Sequence, residues 1–117
     1  MDQFLNNKNL IDSIDKNLKI IREDETLLLI LDMQEKLISS VKGNQMLIFN
    51  IKKLIDACNL LDVRIAITEQ NPLKLGRTLD SILENNEYPR FEKMDFSCTK
   101  NDAFINYIQK YNFKNII

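Results

Sequence analysis

The apolar run LLLIL at residues 27–31 ends in Asp32, Met33 and Gln34, so a carboxylate stands at the tip of a segment built for burial. An unpaired charge there is costly, and the position demands a partner. Two readings are open for Asp32. It can be a strand-end acid that accepts hydrogen bonds from backbone N–H groups of the next loop. It can also be a general base or a ligand-contacting acid. Lys93 is the candidate partner, because it closes the short extended segment YPRFEK at 88–93 and would stand near another strand end. The chain has no histidine. A Ser-His-Asp triad, a Cys-His pair and a histidine-based zinc site therefore cannot be built from this chain alone. Two thiols are present, Cys58 and Cys98.

Positioning an acid and a lysine this far apart in sequence requires a sheet. LLLIL is a continuous apolar run, the pattern of a strand covered on both faces. Leu47, Ile51, Leu54, Ile55, Cys58 and Leu61 then recur at spacings of three and four, which predicts a helix from near Asn44 with one apolar stripe. VRIAIT at 63–68 alternates and is rich in β-branched residues, so it reads as a second strand completing a βαβ unit. EQNPLKLG at 69–76 carries one of two prolines and one of two glycines and reads as a loop; RTLDSILENN at 77–86 reads as a short helix. Thr99 or Asn101 is suited to cap another helix, in which Phe104, Ile108 and Tyr111 share a face, and a strand begins at Asn115. The alternation is that of an α/β, doubly wound parallel sheet, whose ligands bind outside the carboxyl ends of its strands. Residues 1–24 fit it less well and read as a partly helical N-terminal extension, with Leu5, Ile11, Ile14 and Leu18 on one side.

A length of 117 residues suits one domain, and the formal charge of −1 comes from 16 basic and 17 acidic residues of mixed order. Such a balance points away from nucleic acid and from an anionic membrane surface. The apolar runs are too short to span a bilayer, and the opening residues lack a signal-peptide core, so the expected location is cytoplasmic with both cysteines as thiols. Cys58 lies on the helix stripe and reads as a buried structural thiol.

Three motifs fall in register: DMQ after the first strand, TEQNPLKLG after the second, and FEKMDFSC after the third. With them the chain resembles the isochorismatase-like cysteine hydrolases, in the branch with a TEQ-x-P-x-x-LG loop, from about Thr26 to Ile117. The resemblance implies a three-layer α/β fold in which Asp32 is the general base toward a cysteine thiol. It implies that Lys93 lends its charge to the thiolate, with Phe96 and Ser97 completing the K-x-x-F-S pattern. Gln34, Glu69, Gln70 and Phe96 are expected to line the substrate pocket, and Gly76 to permit a tight turn. In the family the nucleophilic Cys follows the fourth strand, in a segment resembling G-x-E-x-H-V-C that also supplies the oxyanion hole. Since this sequence stops at Ile117, residues 25–117 are expected to be a C-terminally truncated domain without nucleophile, inactive by itself. Cys98, five residues past Lys93, is not a convincing substitute.

The expected substrate is a small amide or vinyl ether, with no cofactor and no metal, because the histidines of the nicotinamidase branch are absent. An open sheet edge implies a homo-oligomer. The alternative is a non-catalytic binding or oligomerisation module that retains the fold. A receiver-type phosphate-binding domain using Asp32 is a weaker reading, since there is no Gly-rich loop and no acidic cluster beside Asp32.

Overall fold

The computed structural model describes residues 21–117, so the helix expected around Leu5 to Leu18 lies outside the described residues. Strand β1 (Thr26–Leu31) occupies the middle of a parallel four-stranded sheet of order β3-β2-β1-β4. Helix α1 (Glu35–Ile38) is a single turn, and α2 (Asn44–Leu60) is the long crossover to β2 (Arg64–Gln70). Two further single turns, α3 (Pro72–Leu75) and α4 (Asp80–Leu83), lead to β3 (Arg90–Lys93), and α5 (Asp102–Tyr111) returns the chain to β4 (Asn115–Ile116).

The apolar run of β1 is explained by burial along most of its length, Leu27, Leu28 and Ile30 being buried and Leu31 at its end exposed. Leu28 and Ile30 pair in register with Ile65 and Ile67, and this face meets Ile55 and Cys58 of α2 and Ile82 and Leu83 of α4. The opposite face carries Thr68 beside Phe91 of β3, whose ring meets Phe104 of α5 edge-on at 5.5 Å. The result is three layers, helix on sheet on helix. Completely buried side chains such as Leu27, Ile67 and Ile82 each contribute about 1.5–3 kcal/mol of apolar burial.

Both long helices stop in the same way. A left-handed residue, Asp62 after α2 and Asn112 after α5, lets the next N–H return to the helix: Val63 to the Cys58 carbonyl at 2.8 Å and Phe113 to the Ile108 carbonyl at 3.4 Å. Asn101, one of the two caps expected from sequence, starts α5 by accepting the Phe104 N–H at 2.8 Å.

Three local expectations are corrected. Strand β2 runs to Gln70, and the loop after it contains the turn α3, started by Pro72 behind a left-handed Asn71. The helix expected over 77–86 is only the turn Asp80–Leu83, because Thr78 bridges to Gln34 and Leu79 remains extended in ψ, while Glu84 and Asn85 both turn left-handed. Of the α2 stripe, Leu54 and Leu61 are exposed, since the sheet beneath them narrows to the two-residue β4. No helix of the described residues is long and apolar enough to cross a membrane.

Candidate active site

Parallel strands deliver their carboxyl ends to one edge, and here β1, β2 and β3 deliver Asp32, Thr68 and Lys93. The Lys93 ammonium lies 2.8 Å from Asp32 Oδ2, with the lysine side chain 3% exposed and the aspartate side chain 26% exposed. Its other contacts are the Phe96 carbonyl at 2.9 Å and Gln70 Oε1 at 3.4 Å. All three ammonium hydrogens are thus engaged, which makes Lys93 a fixed charge. The second oxygen of Asp32, Oδ1, accepts the Thr68 hydroxyl at 2.9 Å. Of the two readings of Asp32, the described partners of its carboxylate are side chains, not loop N–H groups.

Asp32 borders a groove of about 490 Å³ lined also by Leu37, Gln70, Asn71, Lys74, Leu75 and Phe96. Gln70 and Phe96 therefore stand where a ligand would contact them, and the Phe96 side of the groove is open, the residue being 92% exposed. Gln34 and Glu69 lie elsewhere: both are completely buried and occupied by the chain itself. The Gln34 carboxamide donates to the Gln70 carbonyl at 2.8 Å and the Gly76 carbonyl at 2.7 Å, and it accepts the Gln70 N–H at 2.7 Å. It closes the loop between those two residues. Gly76 is held at φ 81, where a Cβ would come 3.2 Å from Glu35 Oε2.

Glu69 is a buried carboxylate made tolerable by its surroundings. Its Oε2 accepts the Thr78 N–H at 2.6 Å and the Thr78 hydroxyl at 2.9 Å, while Oε1 pairs with Arg77 at 3.1 Å and Arg90 at 3.6 Å. Arg77 also reaches Glu92 at 3.1 Å. Buried charge is retained only where it is paired and hydrogen-bonded in this way.

Sequence reasoning missed Thr68, Thr78, Arg77 and Arg90. The available signal was Thr68, a polar residue that follows the apolar run Ile65–Ile67 and immediately precedes an acid. Cys58 packs in the core, where burial pushes its thiol up. Cys98 lies in the short 3-10 turn Cys98–Lys100. Among the described residues neither thiol is hydrogen-bonded to Asp32 or Lys93, and no cluster of His, Cys, Asp and Glu is arranged to hold a metal ion. Chemically, the site offers a partly exposed carboxylate with its orientation fixed from two sides and an ammonium beside it.

The fold has counterparts. Residues 26–117 match the family model described as the isochorismatase domain. Isochorismatase family protein 2B of Dictyostelium discoideum is 32% identical over 93 residues, covering 80% of this chain and 43% of the relative. Among solved structures, the MAR1 ribonuclease from Caenorhabditis elegans superposes with a TM-score of 0.73 at 29% identity, covering 84% of this chain and 50% of that one. An isochorismatase from Pseudomonas putida shares the fold, with a TM-score of 0.72 at 16% identity over 90% of this chain and 60% of that one. The chain spans about half the length of the curated relatives it matches. With three strand-end motifs, a parallel sheet and a family model spanning nearly all the described residues, the chain belongs to the isochorismatase family.

Proposed function

We propose that this chain carries the acid-and-lysine half of a cysteine-hydrolase site for a small amide or vinyl ether. Asp32 serves as the base and Lys93 as the charge that favours the thiolate. The observation that carries this reading is the 2.8 Å contact between a buried ammonium and a half-open carboxylate at the rim of a groove. A thiol placed over Asp32 would lose its proton to the carboxylate and attack as an anion beside the ammonium. Gln70 and Phe96 contact substrate, whereas Gln34 and Glu69 shape the pocket from beneath. Neither Cys58 nor Cys98 supplies the nucleophile, so the chain alone is inactive.

The test is a chimera that continues this chain past Ile117 with the corresponding part of the Dictyostelium protein 2B. Hydrolysis of a panel of small amides and vinyl ethers is expected from the chimera and not from the chain alone. Asp32→Asn in the chimera lowers turnover by about 100-fold or more; undiminished turnover removes the base assignment. RNA incubated with either protein stays intact, in keeping with a mixed-sign surface and a small groove, and cleavage would move the substrate class to nucleic acid.

A second reading, a binding or oligomerisation module, is favoured by the apolar hollow beside β1. Leu28, Leu29, Ile30, Leu31, Met33, Ile51, Leu54 and Ile117 line about 180 Å³ there, and Leu31, Leu54 and Ile117 are exposed. Parallel sheets are normally covered on both faces, so this side self-associates. Light scattering that gives a monomer at micromolar concentration would remove the oligomer.

A further inference from the structure

Thr68 holds Asp32 at two points. It stands opposite Leu31 in the register of β1 and β2, and its carbonyl accepts the Asp32 N–H at 3.2 Å. Its hydroxyl donates to Asp32 Oδ1 at 2.9 Å, and the residue is completely buried. An ionised carboxylate can only accept, so the hydroxyl hydrogen is committed to it.

The carboxylate needs two anchors to keep one orientation. Asp32 has φ 53, a left-handed conformation that aspartate adopts more readily than most L-residues, and it turns the chain out of β1 at the strand's carboxyl end. The last torsion of an aspartate side chain is broad and roughly two-fold, so a carboxylate held at one oxygen would still turn. Lys93 holds Oδ2 from β3 and Thr68 holds Oδ1 from β2. Two strands thus define the plane of the carboxylate.

We propose that Thr68 is a positioning residue for the Asp32 base, its buried hydroxyl setting the rotation of the carboxylate so that the open edge faces the groove. The proposal rests on the reading of Asp32 as the base. It adds a third strand end to the machinery, one that touches no substrate.

Valine replaces threonine with nearly the same shape and no hydroxyl, and serine keeps the hydroxyl. The side-chain carboxyl carbon of Asp32 is followed by NMR in the isotope-labelled chain, together with the amides of Leu29, Ile30, Ala66 and Ile67. Thr68→Val is expected to shift or broaden the Asp32 carboxyl resonance and Thr68→Ser to restore it, while those amides remain in place in both. If Thr68→Val fails to fold, Thr68→Ala takes its place in the same comparison with Thr68→Ser. An unmoved carboxyl resonance in the variant lacking the hydroxyl overturns the proposal. So does a shift that serine does not reverse, or one that moves the strand amides equally. These outcomes are independent of turnover: an unmoved resonance leaves the base reading standing, and an active Asp32→Asn chimera leaves the Thr68 grip standing.

Discussion

Gln34 and Gln70 exchange two hydrogen bonds, side-chain carboxamide against main-chain amide, at 2.7 and 2.8 Å. A glutamine side chain thereby imitates the reciprocal pairing of two strands at the point where β2 runs out of neighbours on that side. The third bond, to the Gly76 carbonyl, ties the far end of the loop to the same group.

Removing that group takes a partner from three partly buried backbone groups, the Gln70 N–H, the Gln70 carbonyl and the Gly76 carbonyl. Gln34→Ala is expected to cost about 2–4 kcal/mol in urea denaturation. Gln34→Glu costs more, because at neutral pH it sets an anionic oxygen against two carbonyls. A glutamate variant as stable as the parent would show that the carboxamide does not hold the loop.

The ion pair makes a separate prediction. Lys93→Met deprives Asp32, the Phe96 carbonyl and Gln70 of a common donor, and the partial exposure of Asp32 lets water recover some of the loss. A destabilisation of about 1–3 kcal/mol is expected. In a double-mutant cycle with Asp32→Asn, a coupling of about 1 kcal/mol or more identifies the pair itself as the source. A coupling near zero would assign the loss to packing of the lysine stem.

Gly76 tests the backbone. Its φ of 81 and the 3.2 Å approach of Glu35 Oε2 are two distinct objections to a side chain. Gly76→Ala is expected to lose about 1–3 kcal/mol. Trimming Glu35 to alanine in the same chain removes the carboxylate contact and leaves the Glu35 Cβ at 3.3 Å, so most of the loss persists; full recovery would mean that the carboxylate clash, not the left-handed backbone, was limiting.

The thiols differ in reach and in pH response. Iodoacetamide is expected to label half-exposed Cys98 in the native chain and Cys58 only after unfolding. Burial raises the Cys58 thiol from its ordinary 9.0, so the folded chain binds that proton more tightly than the unfolded chain does. The resulting stability is complete below pH 9.0 and is lost as pH rises through the raised folded value. Replacing Cys58 by alanine flattens this alkaline decline in thermal melts; an identical decline in the variant would place its cause elsewhere.

Much of this was legible from residue order. Continuous apolarity in 27–31 marked the central strand, the three-and-four spacing to Cys58 marked α2, and strand-end placement paired Asp32 with Lys93 before any geometry was known. The parts that were not legible are those in which a polar side chain acts on distant backbone. Gln34 and Glu69 were expected to face a ligand, and nothing local distinguishes a glutamine that contacts substrate from one that bonds a loop 36 residues away. The helix expected over 77–86 failed for the same reason: Thr78 is drawn into extended pairing by Gln34 and Glu69, a tertiary demand that overrides the local pattern.

Glu69 also ties one end of the sheet to charge supplied from elsewhere in the chain. Its carboxylate is fully buried, and both positive charges that offset it come from later residues, Arg77 and Arg90. The carboxyl end of β2 is therefore held to the amino end of β3 by charge as well as by strand pairing. Without the two arginines the buried carboxylate would keep only its Thr78 hydrogen bonds, and that end of the sheet would be the first to let water in.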